Sequence, residues 1–491
     1  MKENFALKTL EEVKELAKQG NAIPIYKELL ADLETPISAL LKLSKNSENI
    51  FLLESVEGGE KIARFSFLGK TPLYTFAAKK NKIRIFGLTD KEYEGEPLTE
   101  LKKFFAQFKG VPDKNLPNFA GGGVGYIAYD AIRLIEDIPD TGIDDFNLDD
   151  IHIGVYESFI VFDNIKHKIY LVSNVMPDIY EGVDNAYKVA TNNIRHLEEE
   201  LSAPLQVPPR KNPAPVQWES NFTPQAFQKS VEKCREYILA GDAFQIVLSQ
   251  RFTAQIESDP ITIYRSLRSI NPSPYMYYLK FNGLEIVGAS PELLVKVNEQ
   301  KVETRPIAGS RPRGETEEQD QENVEDLLKD KKERAEHIML VDLGRNDMGR
   351  VSEYGTVKVN QFMEVEKYSH IMHIVSSVEG QLRPEFHCLD ALMACFPAGT
   401  LSGAPKIRAM QIIDELEPHK RGIYGGAICY LDFNGNLDSC IAIRTMIIKD
   451  KQAYVQAGAG LVADSVPQTE YEETIHKAAS IRNAVDKARD I

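Results

Sequence analysis

Phe227, Val231, Cys234 and Ile238 recur at the three-to-four-residue spacing of an amphipathic helix. Thr223-Pro224 opens that stretch with a capping side chain and a proline at the first helical position, and Gly241 closes it. Runs of strand length and composition follow, at 245–252 and 276–281. Residues 423–461 read as an antiparallel meander. In it, 428–433 is one strand, Asn434-Gly435 is a hairpin turn and 440–448 is the return strand; 453–457 runs on into Gly458-Ala459-Gly460. The first part of the chain mixes strands at 83–86 and 159–162 with a helix at 187–201. Strands and helices mixed in this way, with hairpin turns, predict an α+β protein with extensive antiparallel sheet.

One segment breaks the pattern. Residues 202–218 carry Pro204, Pro208, Pro209, Pro213 and Pro215, each of which fixes φ and removes a donor, so the stretch reads as a Pro-rich linker. It divides the chain into 1–201 and 219–491. With 491 residues, 43% of them hydrophobic, the chain can bury a sizeable core. Lys plus Arg is 58 and Asp plus Glu 73, a net charge of −15, which excludes a general nucleic-acid binder but leaves room for an anionic small substrate held by a few local arginines. The five cysteines are odd in number and form no CxxC, which argues for reduced thiols in the cytoplasm and against a disulfide framework or a zinc knuckle. The N-terminal MKENFALKTLEEV lacks an apolar leader, and no apolar run approaches the roughly 18 residues that span a membrane. A cytoplasmic protein is expected, with no membrane and no nucleic-acid partner.

Several stretches carry chemistry. Glu333 and Glu336 share one helix face by their i,i+3 spacing, as do Glu470 and Glu473. Two such faces turned toward each other would offer hard oxygen ligands for Mg²⁺, although the same spacing is common on solvated helices. The arginine-rich segment 305–314, broken by prolines and glycines, cannot be a core strand and is expected to be a loop that offers guanidinium and N–H groups to an anion. Residues 399–406, GTLSGAPK, read as a loop entering a helix N-terminus, a natural anion site or simply a cap. His370 and His373 lie on a strand-like run where either could act as an acid or base, or sit satisfied in the core. The GxGxxA segments at 123–128 and 458–463 lack the following helix that a dinucleotide site needs.

The stretches PIAGSRPRG (306–314), ERAEHIMLVDLGRND (333–347), YSHIMHIVSSVEG (368–380), GTLSGAPKIRAMQIIDELE (399–417), RGIYGGAICYLDFNGNLDSCIAIRT (421–445) and VQAGAGLVADSVPQTEYEET (455–474) together resemble the chorismate-binding enzymes, and within them the anthranilate synthase large subunits. The resemblance covers nearly all of 220–490 and implies a large antiparallel sheet sandwich with helices packed outside. It implies Mg²⁺ held directly by Glu336 and Glu473, with Glu333 and Glu470 holding metal-bound waters. Tyr424 and Arg444 match residues that grip the substrate's enolpyruvyl carboxylate, helped by the N–H groups of Gly458, Ala459 and Gly460 and the charge of Lys477. Gly309 and Ser310 match the pair that approaches the ring, with Ser310 where Thr is common. Glu292 matches the acid that helps the ring hydroxyl leave, and His373 the histidine of aromatisation.

By the same resemblance, the substrates are chorismate and ammonia, the products anthranilate and pyruvate, and the pathway that of L-tryptophan. Leu52-Leu53-Glu54-Ser55 in 1–201 is similar to a tryptophan-binding element, and Pro274, Tyr275 and Met276 to its second half, so L-tryptophan is an expected inhibitor. No nucleophilic-cysteine elbow is visible, so glutamine is expected to serve only through a glutamine amidotransferase subunit, as a heterotetramer of two large and two small chains. Relatives that stop at an amino-chorismate or add water carry Lys where this chain has Ala308. Two other readings stand against this one: a nicotinamide enzyme built on the GxGxxA segments, and a catalytically silent regulatory subunit.

Overall fold

Alternation along the strand Asn49–Glu54 sets the layering. Ile50 and Leu52 join a cluster rich in helix residues, while Phe51 joins a cluster with no helix residues, drawn from the strands of two different sheets. The structure, a computed structural model, describes residues 7–45, 47–56, 64–208, 215–368 and 371–491. Within them two 12-stranded sheets face each other, and all paired strands are antiparallel, as the meander pattern predicts. Between the sheets lies a largely aromatic core that includes Phe51, Phe119, Tyr126, Phe159 and Tyr277. The helices Pro36–Ser44, Val183–Leu201, Pro260–Ile270 and Pro467–Lys487 cover the outside of the first sheet; Pro97–Ala106, Lys331–Gly349 and Cys388–Cys395 cover the second. The arrangement is the α+β sandwich with outer helices expected from the sequence.

Each sheet takes strands from both sides of the Pro-rich segment. The first runs from Ile23–Leu30 through Asn49–Glu54 to Tyr275–Phe281 and Gln245–Gln255; the second joins Gly122–Ile127 to Ala427–Asp432. Residues 202–208 and 215–218 hold no helix or strand, while Pro209 and Pro213 lie outside the described residues, as does His370. The helix Pro224–Leu239 forms as predicted, with the Thr223 side chain accepting from the Ala226 N–H. No helix among the described residues is long and apolar enough to cross a membrane.

Two expectations are overturned. The predicted return strand at 440–448 is two strands in different sheets: Leu437–Ile441 belongs to the second and Thr445–Lys449 to the first. The break falls at Arg444, which adopts a left-handed φ of 49°. Apolar side chains on both sides of the break hide it, because both sheets are buried there. The arginine-rich segment is not a loop. Ile307–Pro312 is a strand at the end of the second sheet, where its proline is tolerated.

A second crossing between sheets lies beside the first. Strand Leu284–Ser290 ends in the first sheet, and after Pro291-Glu292 the strand Leu293–Asn298 begins in the second. The Ala289 N–H donates to the Arg444 carbonyl, and the Ile441 N–H to the Glu292 carbonyl, so the two crossings are tied to each other.

A buried ion pair fixes the surroundings. Arg421 donates to both oxygens of Glu417, to the Leu401 carbonyl at 2.6 Å and to the Val247 carbonyl at 2.8 Å, and its guanidinium lies 4.6 Å from the Tyr129 ring centre. Glu417 also accepts from the Ser249 N–H and hydroxyl. With side-chain exposures of 2% and 4%, neither partner can be satisfied by bulk water, and removing one of such a pair costs about 3–5 kcal/mol.

Candidate functional site

The site forms where the two crossings meet the first turns of two helices. Glu292 sits on one crossing. Its carboxylate accepts from the Thr400 hydroxyl at 2.9 Å, and burial pushes its pKa up to about 7 against the pull of that bond and of Lys477. Arg444 sits on the other crossing. It donates to the Lys477 carbonyl at 2.8 Å and to the Ser480 hydroxyl at 3.2 Å, and it has no carboxylate partner among the described residues. Burial holds its guanidinium below the usual range. A largely buried cation without a counter-ion is a place for an anion.

Tyr424 completes this corner. A Cβ at Gly458 would lie 3.0 Å from its hydroxyl, so glycine is what lets the phenol approach the strand Gln452–Leu461. In that strand Gly458, Ala459 and Gly460 stand opposite Ser249, Leu248 and Val247. The Ser249 N–H goes to Glu417 and the Val247 N–H to the Ser402 carbonyl, so at those two positions the strands do not exchange bonds. Gly458 and Gly460 therefore turn their N–H groups to the strand's other edge, and Lys477 reaches the Gly458 carbonyl there at 3.1 Å. Ala459 spends its N–H on the ladder, which narrows the expected three-donor cradle to two.

Across from this corner, Gly309 bulges out of the strand Ile307–Pro312 with φ at +68°, where a Cβ would meet the Glu333 side chain at 3.1 Å. Ser310, beside it, pairs with His373 on the strand Ile371–Gln381. The His373 Nδ1 lies 2.9 Å from the Gly309 carbonyl. A carbonyl only accepts, so Nδ1 carries the proton and Nε2 the free lone pair. Burial, helped by Arg444, holds the imidazole below its ordinary pKa, so it is a neutral base at neutral pH.

The four glutamates lie as their spacing predicts, in the helices Lys331–Gly349 and Pro467–Lys487. Each pair sits near a helix N-terminus, where the backbone favours negative charge. Burial raises Glu333 and Glu470, and the neighbouring Glu336 and Glu473 raise them further; Lys332 of the first helix holds Glu470 down, so the two helix starts face each other. Cations stand among them: Lys477 pairs with Glu473 at 2.6 Å, and Arg311 lies 3.6 Å from Glu333. Among the described residues no group of three or more His, Cys, Asp or Glu is close enough to hold a metal ion. The donor set itself suits a hard divalent cation, and Gln245, whose amide donates to Glu336 at 3.1 Å, keeps its buried carbonyl oxygen without a partner.

The arginines of the other predicted anion segment are paired within the chain. Arg305 pairs with Glu366, Arg311 with Asp326 and Asp330, and Arg313 with Asp320. In 399–406 the Leu401 and Ser402 carbonyls accept from Arg421 and Val247, and Lys406 pairs with Asp347. Three site residues escape a reading of the sequence. Thr400 lay inside a motif that pointed to a helix terminus, Arg421 inside one that pointed to Tyr424, and Gln245 opens a strand with no local signal.

A separate cavity of about 1350 Å³ lies between the sheets. Leu53, Glu54 and Ser55 line it together with Pro274, Tyr275 and Met276, because Asn49–Glu54 and Tyr275–Phe281 are neighbouring strands in which Glu54 pairs with Met276.

The chorismate binding enzyme family matches residues 48–483. Anthranilate synthase component 1 of Acetivibrio thermocellus is 50% identical over 98% of this chain and 99% of the relative. That of Aquifex aeolicus is 47% identical over 98% of each chain. The crystal structure of anthranilate synthase component I from Streptococcus pneumoniae, 43% identical, superposes with a TM-score of 0.78 over 86% of this chain and 92% of that one. The menaquinone-specific isochorismate synthase of Escherichia coli, 18% identical, shares the fold alone, at a TM-score of 0.71 over 97% of this chain and 98% of that one. With its family match spanning most of the sequence and relatives this similar over nearly their whole length, the chain belongs to the chorismate-binding enzymes, among the relatives of anthranilate synthase component 1.

Proposed function

We propose that the chain converts chorismate and ammonia to anthranilate, pyruvate and water, the first committed step toward L-tryptophan. One observation carries this reading. A largely desolvated acid, a neutral base and a cation with no carboxylate partner among the described residues converge where the two sheet crossings meet, within a family of chorismate binding enzymes. Arg444, the Tyr424 hydroxyl and the N–H groups of Gly458 and Gly460 would take the enolpyruvyl carboxylate, and Gly309 and Ser310 would border the ring. Hydroxide is a poor leaving group. With its pKa near 7, Glu292 keeps a proton to hand over as the C–O bond breaks and ammonia adds to the ring. His373 Nε2 then removes the ring proton; the enolpyruvyl C–O bond breaks, the leaving enolate takes up a proton at its methylene carbon to become pyruvate, and the ring becomes aromatic. Ala308 brings no amine of its own to the ring, so ammonia is the nucleophile.

Magnesium bound by Glu336 and Glu473, with Glu333 and Glu470 ordering its waters, would neutralise the ring carboxylate and draw electrons from the ring. Lys477 would then give up Glu473 and be free to face the substrate, while Arg311 would keep Asp326 and Asp330. Ammonia would come from glutamine through an amidotransferase subunit, two of each chain per assembly. All five thiols of this chain are buried and pushed well above their ordinary pKa; Cys234, Cys395 and Cys429, for example, reach about 12. None is a glutaminase nucleophile. Ser55, Pro274, Tyr275 and Met276 would hold L-tryptophan in the cavity between the sheets, favouring a state that binds chorismate poorly.

Given chorismate, magnesium and ammonium, the purified chain should form anthranilate and pyruvate in equal amounts, and nothing when glutamine replaces ammonium. Release of an amino-chorismate without pyruvate, or turnover on glutamine alone, contradicts the reading. Glu336→Gln or Glu473→Gln should raise the magnesium concentration for half-maximal rate by about 100-fold or more. Unchanged magnesium dependence in both would remove these glutamates from the metal site. Ser55→Phe should fill part of the cavity and relieve tryptophan inhibition while turnover persists; inhibition at the wild-type concentration would place the inhibitor elsewhere.

A further inference from the structure

One face of the His373 imidazole is accounted for by the Gly309 carbonyl, and a second neighbour by Tyr368, whose ring stands edge-on to it at 5.9 Å between centres and 66° between planes. Tyr368 is itself anchored at several points. Its hydroxyl donates to Glu366 at 2.9 Å, its carbonyl accepts from Arg313 at 2.6 Å, and its N–H donates to the Ile371 carbonyl at 2.8 Å. Glu366 is in turn fixed by the Arg305 guanidinium and lies directly across the ladder from His373. Arg305, Glu366 and Tyr368 all form part of the wall of the central cavity, so the imidazole is braced from that side by side chains that do not belong to the substrate corner.

We propose that Tyr368 is the positioning residue of His373. Its ring occupies the space into which the imidazole would swing if it left Gly309, so Nδ1–H stays on the carbonyl and Nε2 stays on the side of Arg444. The backbone bonds of Tyr368, its carbonyl to Arg313 and its N–H to the Ile371 carbonyl, keep the ring from following the imidazole, with or without the hydroxyl's bond to Glu366. Without this brace the imidazole samples a second rotamer, the Gly309 bond opens, and either nitrogen can carry the proton. The step that suffers is the removal of the ring proton, while binding at Arg444 and Tyr424 is untouched. This inference rests on the role proposed above for His373.

The test uses the full-length chain as wild type, Tyr368→Phe, Tyr368→Leu and His373→Ala, supplied with chorismate, magnesium and ammonium. Pyruvate and the released non-aromatic amino intermediate are measured together. Tyr368→Leu should shift the partition toward the released intermediate by about five-fold, the scale of one aromatic edge contact, with an unchanged KM for chorismate. Tyr368→Phe, which keeps the ring, should partition as wild type does. Nitrogen-15 spectra of histidine-labelled chains, with the His373 signal assigned by its loss in His373→Ala, should show the Nδ1-protonated tautomer in wild type and Tyr368→Phe and a mixture in Tyr368→Leu. Tyr368→Met provides a second loss of the ring should the leucine variant not fold. A wild-type partition and a wild-type tautomer in the ring-less variants overturn the proposal. If His373→Ala itself forms pyruvate as wild type does, the role of His373 is what fails, and the tautomer spectra alone then decide whether Tyr368 positions the ring.

Discussion

The chain passes from the first sheet to the second at Pro291-Glu292 and back between Ile441 and Thr445, and the candidate site depends on these crossings lying side by side. Each crossing puts a residue where it belongs to neither sheet's ladder. Glu292 ends up facing Thr400, and Arg444, held at a left-handed φ, reaches across to the last long helix. The bonds from Ala289 to Arg444 and from Ile441 to Glu292 lock the two crossings in register. Had either strand run straight on, its side chains would have alternated between the inter-sheet core and the outer helices, and neither residue would have reached its present partner.

Burial then decides the chemistry. The same withdrawal from water that pushes Glu292 up to about 7 lowers the imidazole of His373, so one group keeps a proton and the other lacks one at the same pH. The surrounding polar groups are spent on structure. Arg421 and Glu417 hold the 399–403 turn, the strand Gln245–Gln255 and the approach to Tyr424 in one network, and Arg305, Arg311 and Arg313 are neutralised by nearby acids. Among the described residues, what the site leaves for a ligand is small and specific: Arg444 without an acid, the N–H groups of Gly458 and Gly460, and two carboxylate pairs that now meet Lys477, Arg311 and Gln245.

Much of this was legible in the sequence, for reasons that differ by residue. The glutamate pairs announce themselves because helical spacing converts directly into a shared face, and the capped helix at Thr223-Pro224 follows from local chemistry alone. The extensive antiparallel sheet follows from the number of strand-like runs and turns, and its arrangement as a sandwich from the resemblance to a family. The crossing at Arg444 was not legible, because a strand that leaves one buried sheet for another stays apolar throughout. Nor was the edge strand at 307–312, because the prolines, glycines and arginines of 305–314 look like a loop until the bulge at Gly309 and the partner strand carrying His373 are seen. The assignment of individual roles at Glu292, His373 and Arg444 came from resemblance to a family; no local pattern distinguishes these residues from other buried polar groups.

The proposed role of Glu292 as a proton donor near neutrality depends on its withdrawal from water at the crossing and on the Thr400 hydroxyl, its one side-chain bond among the described residues. The Thr400 hydroxyl donates to the carboxylate and so favours the ionised form; losing it must raise the pKa further. The most direct measurement is the pH dependence of kcat at constant free ammonia for wild type and Thr400→Val. The wild-type rate should fall as pH rises through about 7, and in Thr400→Val the fall should move to higher pH. A rate that stays flat above neutrality, or a limb that does not move when the hydroxyl is removed, would contradict the central claim.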